Sequence, residues 1–215
     1  MSFGYLGDTS TKIKQQKKND GIITVNDVRE LESLGQLGGS LQKLKTVSAS
    51  GLTNVDFTDI DSVHQYQQLL IYGHSITPSG DGTGYLRVSN DNGSNFRASG
   101  YYYAVMIFDG AGNADTSKST SANQIEWVFG NGGAATNETQ NFFVSIHNHN
   151  KSDRYTFADY RGTSIDTGGT ILTTHGSASY GTAETHNAFR FLSGGGGTLT
   201  GEFVLYGYKT ITWVH

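Results

Sequence analysis

At 215 residues the chain has room for one domain with an appendage, or for two small domains. The absence of cysteine excludes a disulfide framework and any Cys-based zinc site or nucleophile, while twelve Tyr and eleven Phe concentrate burial into large rings and compensate for a hydrophobic content of only 35%. The net charge of -4 is uneven: residues 1–45 carry seven Lys/Arg against five Asp/Glu and residues 46–215 carry eight against fourteen, a balance that argues against general nucleic-acid binding by the larger part.

The opening stretch, MSFGYLGDTSTKIKQQKKND, is polar and lacks the apolar core of a signal peptide, and no later run is apolar enough to cross a membrane. Residues 1–22 read as a flexible terminus or as an arm that orders on a partner. One helix is predicted, Thr24 to Gly35. Val25, Val28, Leu31 and Leu34 recur at helical spacing, Thr24 or Asn26 serves as N-cap, and Gly35 sits where a left-handed C-terminal residue belongs. A helix of about ten residues is marginal in isolation, so its apolar stripe must dock on something. GQLGGSL (35–41) reads as a hinge into a short segment, Leu41–Val47. The expected boundary therefore separates residues 1–45 from 46–215.

Beyond residue 50 the pattern changes to strands. Leu52–Phe57 and Gln67–Gly73 come first, then a loop at 75–84. Tyr85–Ser89 and Ser94–Ala98 are expected to form a hairpin, with Asn92-Gly93 supplying the positive-φ turn. Tyr101–Phe108 (YYYAVMIF) is apolar on both faces, as in a central strand or one covered by a neighbouring subunit. Residues 109–123 read as a long polar loop, Ile125, Trp127 and Phe129 as alternating strand positions, and 130–141 as another loop. Phe142, Val144 and Ile146 face one way, with Phe143, Ser145, His147 and His149 facing the other. Asp153–Arg161, Thr170–Thr174 and His186–Leu192 follow. The last strand, Thr198–Trp213, alternates Leu199, Phe203, Leu205, Ile211 and Trp213 against polar and aromatic residues. A stripe of that length needs a facing sheet, so the expectation is an all-β, jelly-roll-like sandwich preceded by a short arm with one small helix.

Candidate sites are few. His147-Asn148-His149 places two imidazoles at i and i+2 on one face of a strand, a spacing that suits Zn, Ni or Cu. No third ligand lies nearby in sequence, and the alternative is a strand closing at an exposed turn. Asp81, Asp91 and Asn92 lie in Gly-rich turns that offer oxygen ligands to calcium, but the spacing is not that of a calcium loop and turn chemistry explains them at less cost. Tyr101, Tyr102 and Tyr103, with Tyr85 and Tyr160, suggest sugar stacking, against the simpler reading of strand-favouring core aromatics. Tyr102, on the register opposite Val105 and Ile107, is the least explained by a core. Glu126, Glu138, Glu184 and Glu202 are the carboxylates from which a glycosidase pair would be drawn, and no nucleophile-elbow or phosphate-loop pattern occurs.

Two stretches carry a family resemblance. GYLGDTSTKIKQQKKNDGIITVNDVRELESLGQLGGSL resembles the N-terminal segment of virion structural proteins of marine and cyanobacterial tailed phages. YLRVSNDNGSNF and GTLTGEFVLYGYK are similar to strands of the jelly-roll heads of phage tail fibres and decoration proteins. The resemblance implies a non-enzymatic homotrimer on the phage particle surface, made in the cytoplasm of a bacterial host. Residues 1–40 would attach it to other virion proteins through Lys12, Ile13, Lys14, Lys17 and Lys18 and through the Val25, Val28, Leu31 and Leu34 stripe. Host-surface polysaccharide would be met by the loops at 75–84, 109–123 and 130–141, with Tyr85, Tyr102, Asp81 and Asn113 as contact candidates. No nucleic acid, membrane insertion or cofactor is expected, a metal ion at His147 and His149 being the one candidate. In trimeric fibres of this kind, a His-x-His near the three-fold axis gathers six imidazoles around an iron. A decoration protein bracing the capsid is the alternative of the same fold, and a carbohydrate-active enzyme or free lectin is the alternative of another class.

Overall fold

A computed structural model describes residues 41–60, 63–130, 132–135 and 137–209. The chain divides after Ser40 into two units, and the described residues all belong to the second. The arm, the Thr24–Gly35 helix and every anchoring residue proposed for residues 1–40, like Ile211 and Trp213, lie outside them.

The second unit is an all-β, jelly-roll-like sandwich. Its strands are β1 (Leu41–Leu52), β2 (Asn54–Phe57), β3 (Gln68–Pro78), β4 (Gly84–Ser89), β5 (Tyr101–Asp109), β6 (Ala114–Ala122), β7 (Gln140–His147), β8 (Phe157–Ile165), β9 (Ile171–Tyr180), β10 (Ala188–Ser193) and β11 (Leu199–Tyr208). Eight form one antiparallel sheet in the order β1-β11-β3-β7-β8-β9-β5-β6, and the other three form a small sheet, β2-β10-β4. The small sheet packs against the inner face of the large one. Phe57, Leu86, Phe189 and Phe191 from the small sheet meet Leu69, Ile71, Phe142, Val144, Phe203 and Leu205 from the large one in a single buried cluster. Phe142 is central to it, with ring centroids 4.8 Å from Phe129, 5.3 Å from Phe191 and 5.8 Å from Phe203. The space for its ring comes from Gly73, directly opposite on β3, where a Cβ would collide with the Phe142 side chain.

Three expectations about strands are corrected. Residues 114–122 are strand β6, not loop: the stretch ADTSKSTSA pairs with β5 at the edge of the sheet. It shows no apolar alternation because the small sheet does not cover that edge, and a polar, Lys-bearing edge also resists pairing with other chains. Ser94–Ala98 is not a strand; beyond the Asn92-Gly93 turn, Arg97 N–H donates to the Val88 carbonyl and the chain leaves the sheet. Nor do Ile125, Trp127 and Phe129 alternate along a strand. Ile125 makes an isolated bridge to Leu86, and Trp127 takes φ of 60°, which turns the chain.

Loops gather at two ends. One end carries residues 79–83, 110–113, 132–135, 137–139, 166–170 and 194–198; the other carries 58–60, 63–67, 90–100, 148–156 and 181–187. Three turns are braced in a common way, with an Asp carboxylate accepting the backbone N–H four residues on: Asp91 from Asn95, Asp109 from Asn113 and Asp166 from Thr170. Hydrogen bonding from Ser89 and Asn95 lowers the Asp91 carboxyl to about 2.

Candidate binding face

The large sheet has one face on the core and one open. Antiparallel partners point the same way, so the register gives the rows of the open face directly. One row crosses all eight strands: Thr46, Val204, Tyr72, Phe143, Arg161, His175, Met106 and Thr116. A second brings Phe157, Ser179 and Tyr102 side by side, and a third brings Thr163, Thr173 and Phe108. Ten large apolar side chains of the described residues are exposed, and eight of them, Leu41, Tyr102, Met106, Phe108, Phe143, Phe157, Ile171 and Tyr208, stand on this face. Scattered exposed apolar residues need no explanation, but such a concentration on one face marks a surface that meets something.

The face has two characters. Along β5 the face is apolar, with Met106 and Phe108 at 47% and 44% exposure between Tyr102 and Ile171, while β9 sets Thr173, His175, Ser177 and Ser179 beside them. The β3–β7–β8 part holds a depression of about 230 Å³ lined by Tyr72, His74, Asn141, Phe143, Arg161 and Thr163, floored by the backbone of Gly73, Phe142 and Gly162. A bulge opens it. Between Gly73 and Ile76 β3 has one residue more than β7, and Ser75 takes φ of 51°. The Ser75 N–H donates to Asn141 Oδ1 at 3.0 Å, which fixes the amide of Asn141. Tyr72 lies parallel to His74 and at right angles to Tyr206.

The residues singled out from sequence do not converge. Tyr102 stands on the open face at 41% exposure with its ring over Gly181. Tyr85 is half-buried on the outward side of the small sheet, so the two face opposite sides of the sandwich. Asp81 Oδ1 accepts from the Ala134 N–H at 3.3 Å, and Asn113 Nδ2 donates to Asp109 Oδ2 at 2.7 Å, so each braces a turn. Tyr101, Tyr103 and Tyr160 point into the core.

His147 and His149 do not share a strand face. β7 ends at His147, and Asn148 takes φ of 60°, which breaks the alternation the pairing assumed. The His147 ring sits on the open face, with Nε2 2.8 Å from Ser145 Oγ and 3.5 Å from Asp159 Oδ2. His149 is fully buried, and its Nε2 donates to the Val63 carbonyl at 3.1 Å. Among the described residues no group of three or more His, Asp or Glu is placed to hold a metal ion.

The carboxylates are separately engaged. Glu126 accepts from Tyr103 Oη at 2.9 Å, and its own carbonyl accepts from Tyr160 Oη, so two tyrosines hold the turn that Trp127 strains. Glu138 accepts from the Ala135 N–H. Glu184 takes a two-pronged Arg97 at 2.8 Å for each bond, and also contacts Asn90 and the buried His186. Glu202 is exposed on the open face opposite His74.

Tyr72, His74, Asn141, Phe143 and Arg161 were not singled out by the sequence. The available signal was aromatic residues on the polar register of strands: Tyr72 between the core positions Ile71 and Gly73, and Phe143 between Phe142 and Val144. No family model matches the chain, and no curated protein and no solved structure is significantly similar to it.

Proposed function

We propose that the chain is a structural protein of a tailed-phage particle: a homotrimeric fibre or fibre-like appendage, attached through residues 1–40 and presenting its sandwich to host-surface glycan. The observation that supports this reading most is the open face of the eight-stranded sheet, which gathers eight of the ten exposed large apolar side chains of the described residues. The apolar strip along β5 suits contact between copies of the chain, and the depression on β3, β7 and β8 mixes aromatic rings with hydrogen-bonding side chains, the combination a sugar's two kinds of surface require. Residues 1–40 resemble a virion attachment segment, which would supply the tether for a head made by the sandwich.

Two measurements test the reading. Labelled protein on purified particles, imaged by electron microscopy, should be confined to the tail; label spread over the head would replace the fibre with a capsid decoration protein. Light scattering of the full chain at micromolar concentration should give three times the 23.2 kDa chain mass, and Met106→Glu with Phe108→Glu should reduce it to one. A wild-type monomer would remove the assembly part of the proposal.

A further inference from the structure

We infer that the depression on β3, β7 and β8 is a subsite for a sugar carrying a carboxylate, a uronic-acid residue within a longer polysaccharide. This inference rests on the reading of the open face as a glycan-contact surface and adds the class of glycan. Its first support is Arg161. Five arginines fall among the described residues, and four are engaged: Arg97 with Glu184, Arg190 with Asp56, Arg154 beside Asp153 and Arg87 with Gln124. Arg161 has no hydrogen-bond or ion-pair partner among those residues, and it stands exposed at the depression's edge. Its planar fork of N–H donors matches a carboxylate bidentately.

The neighbouring groups point the same way. Asn141 Oδ1 is committed to the Ser75 N–H, which leaves the two Nδ2 protons as donors into the depression. Two carboxylates flank the site, and neither occupies Arg161. Asp159 Oδ1 accepts from Ser177 Oγ at 2.7 Å and Oδ2 lies 3.5 Å from His147. Glu202 is on β11, three strands from β8 or about 14 Å away. Among the described residues the depression is therefore rich in donors and carries one uncompensated cation, on a body whose residues 46–215 are otherwise net acidic. An anionic, acceptor-rich occupant complements it.

The rings favour a sugar over other anions. Tyr72 and Phe143, centroids 6.2 Å apart and tilted by 34°, present apolar faces to the C–H side of a pyranose while Arg161 and Asn141 reach its polar edge. An acidic peptide would more naturally pair with a sheet edge through its backbone, and this face offers side chains only. At about 230 Å³ the depression is smaller than the ~300–1,000 Å³ of small-molecule pockets, and the sheet around it is open, so a polymer can pass through with one residue seated.

Affinity electrophoresis of the full chain, through gels containing polygalacturonate or its fully methyl-esterified form, tests the inference with the same rings charged and neutral. The expected result is retardation by polygalacturonate and roughly tenfold weaker retardation by the ester, as loss of a charged hydrogen-bonded pair implies. Arg161→Gln should abolish the difference, Arg161→Lys should restore part of it, and Tyr72→Ala should weaken retention in both gels. Each variant should melt within a few degrees of wild type, since all three changes are on the open face. Equal retention in the two gels overturns the inference and leaves the glycan-contact reading intact, as does an Arg161→Gln protein that still discriminates. Retention by neither, with no binding to a panel of neutral glycans, overturns both.

Discussion

Phe142→Ala is expected to be the most damaging single truncation in the sandwich, lowering stability by about 3–5 kcal/mol and Tm by on the order of 10 °C. Phe142 is 5% exposed and touches the ring of Phe129 from the loop before β7, Phe191 from the small sheet and Phe203 from β11. Removing it takes a contact from three elements at once, and the cavity is walled by rings that themselves rest on backbone. Gly73→Ala acts on the same joint from the other side. Its new methyl would collide with Phe142, so the ring must leave its site or β3 must shift. The bulge at Ser75 lies two residues beyond, so Gly73→Ala also disturbs the depression. Urea unfolding followed by tryptophan fluorescence measures both variants. A loss under about 1 kcal/mol for Phe142→Ala would mean the small sheet is held by its rim and not by this ring cluster.

The parts of the fold that were legible in the sequence are those where burial is one-sided. β3, β7 and β11 alternate because one face is packed and the other meets water, so Leu69/Ile71, Phe142/Val144 and Phe203/Leu205 announced their direction. β6 gave no such signal, because neither of its faces is covered well enough to require apolar residues. Tyr101–Phe108 carried an ambiguous one. Its inward set, Tyr101, Tyr103, Val105 and Ile107, is buried as core, while Tyr102, Met106 and Phe108 stand in the open on a strand second from the edge. Apolarity on both faces therefore reported an uncovered surface, which periodicity within one strand cannot separate from a central position. The depression was hidden for a different reason. Its residues come from three strands, and Tyr72, Phe143 and Arg161 become neighbours only through pairing register. His147 and His149 failed as a pair on a single backbone angle at Asn148, a property of the turn and not of the spacing.

Mild acid, from pH 6.5 down to about 4, is expected to destabilise the protein because of His149 and His186. Both rings are fully buried. Burial is the larger cause in each case and lowers each imidazole from 6.5 to about 4. His149 uses Nε2–H on the Val63 carbonyl, so the buried Nδ1 is left without a partner among the described residues; protonating it would place a charge and an N–H where no acceptor waits. The groups around it offer no relief, since His64, His147 and His186 all disfavour the charge. His186 has Thr156 on Nδ1 and Glu184 on Nε2, and the carboxylate partly offsets burial while the nearby Arg97 opposes the charge. The unfolded chain takes up a proton at each ring below pH 6.5, and the folded protein resists until about pH 4. Stability from these groups is therefore complete above 6.5 and is lost as the pH falls through that window. By pH 5 each ring accounts for a loss on the order of 2 kcal/mol. The Asp91 carboxyl, at about 2, acts only in stronger acid, so the two contributions separate on the pH axis. Denaturant unfolding at pH 7, 6 and 5 measures the slope, and His149→Gln, which keeps a donor for Val63, should roughly halve it while costing some stability at pH 7. A wild-type stability that stays level from pH 7 to 5, or a slope unchanged in His149→Gln, would show that these rings are protonated without cost.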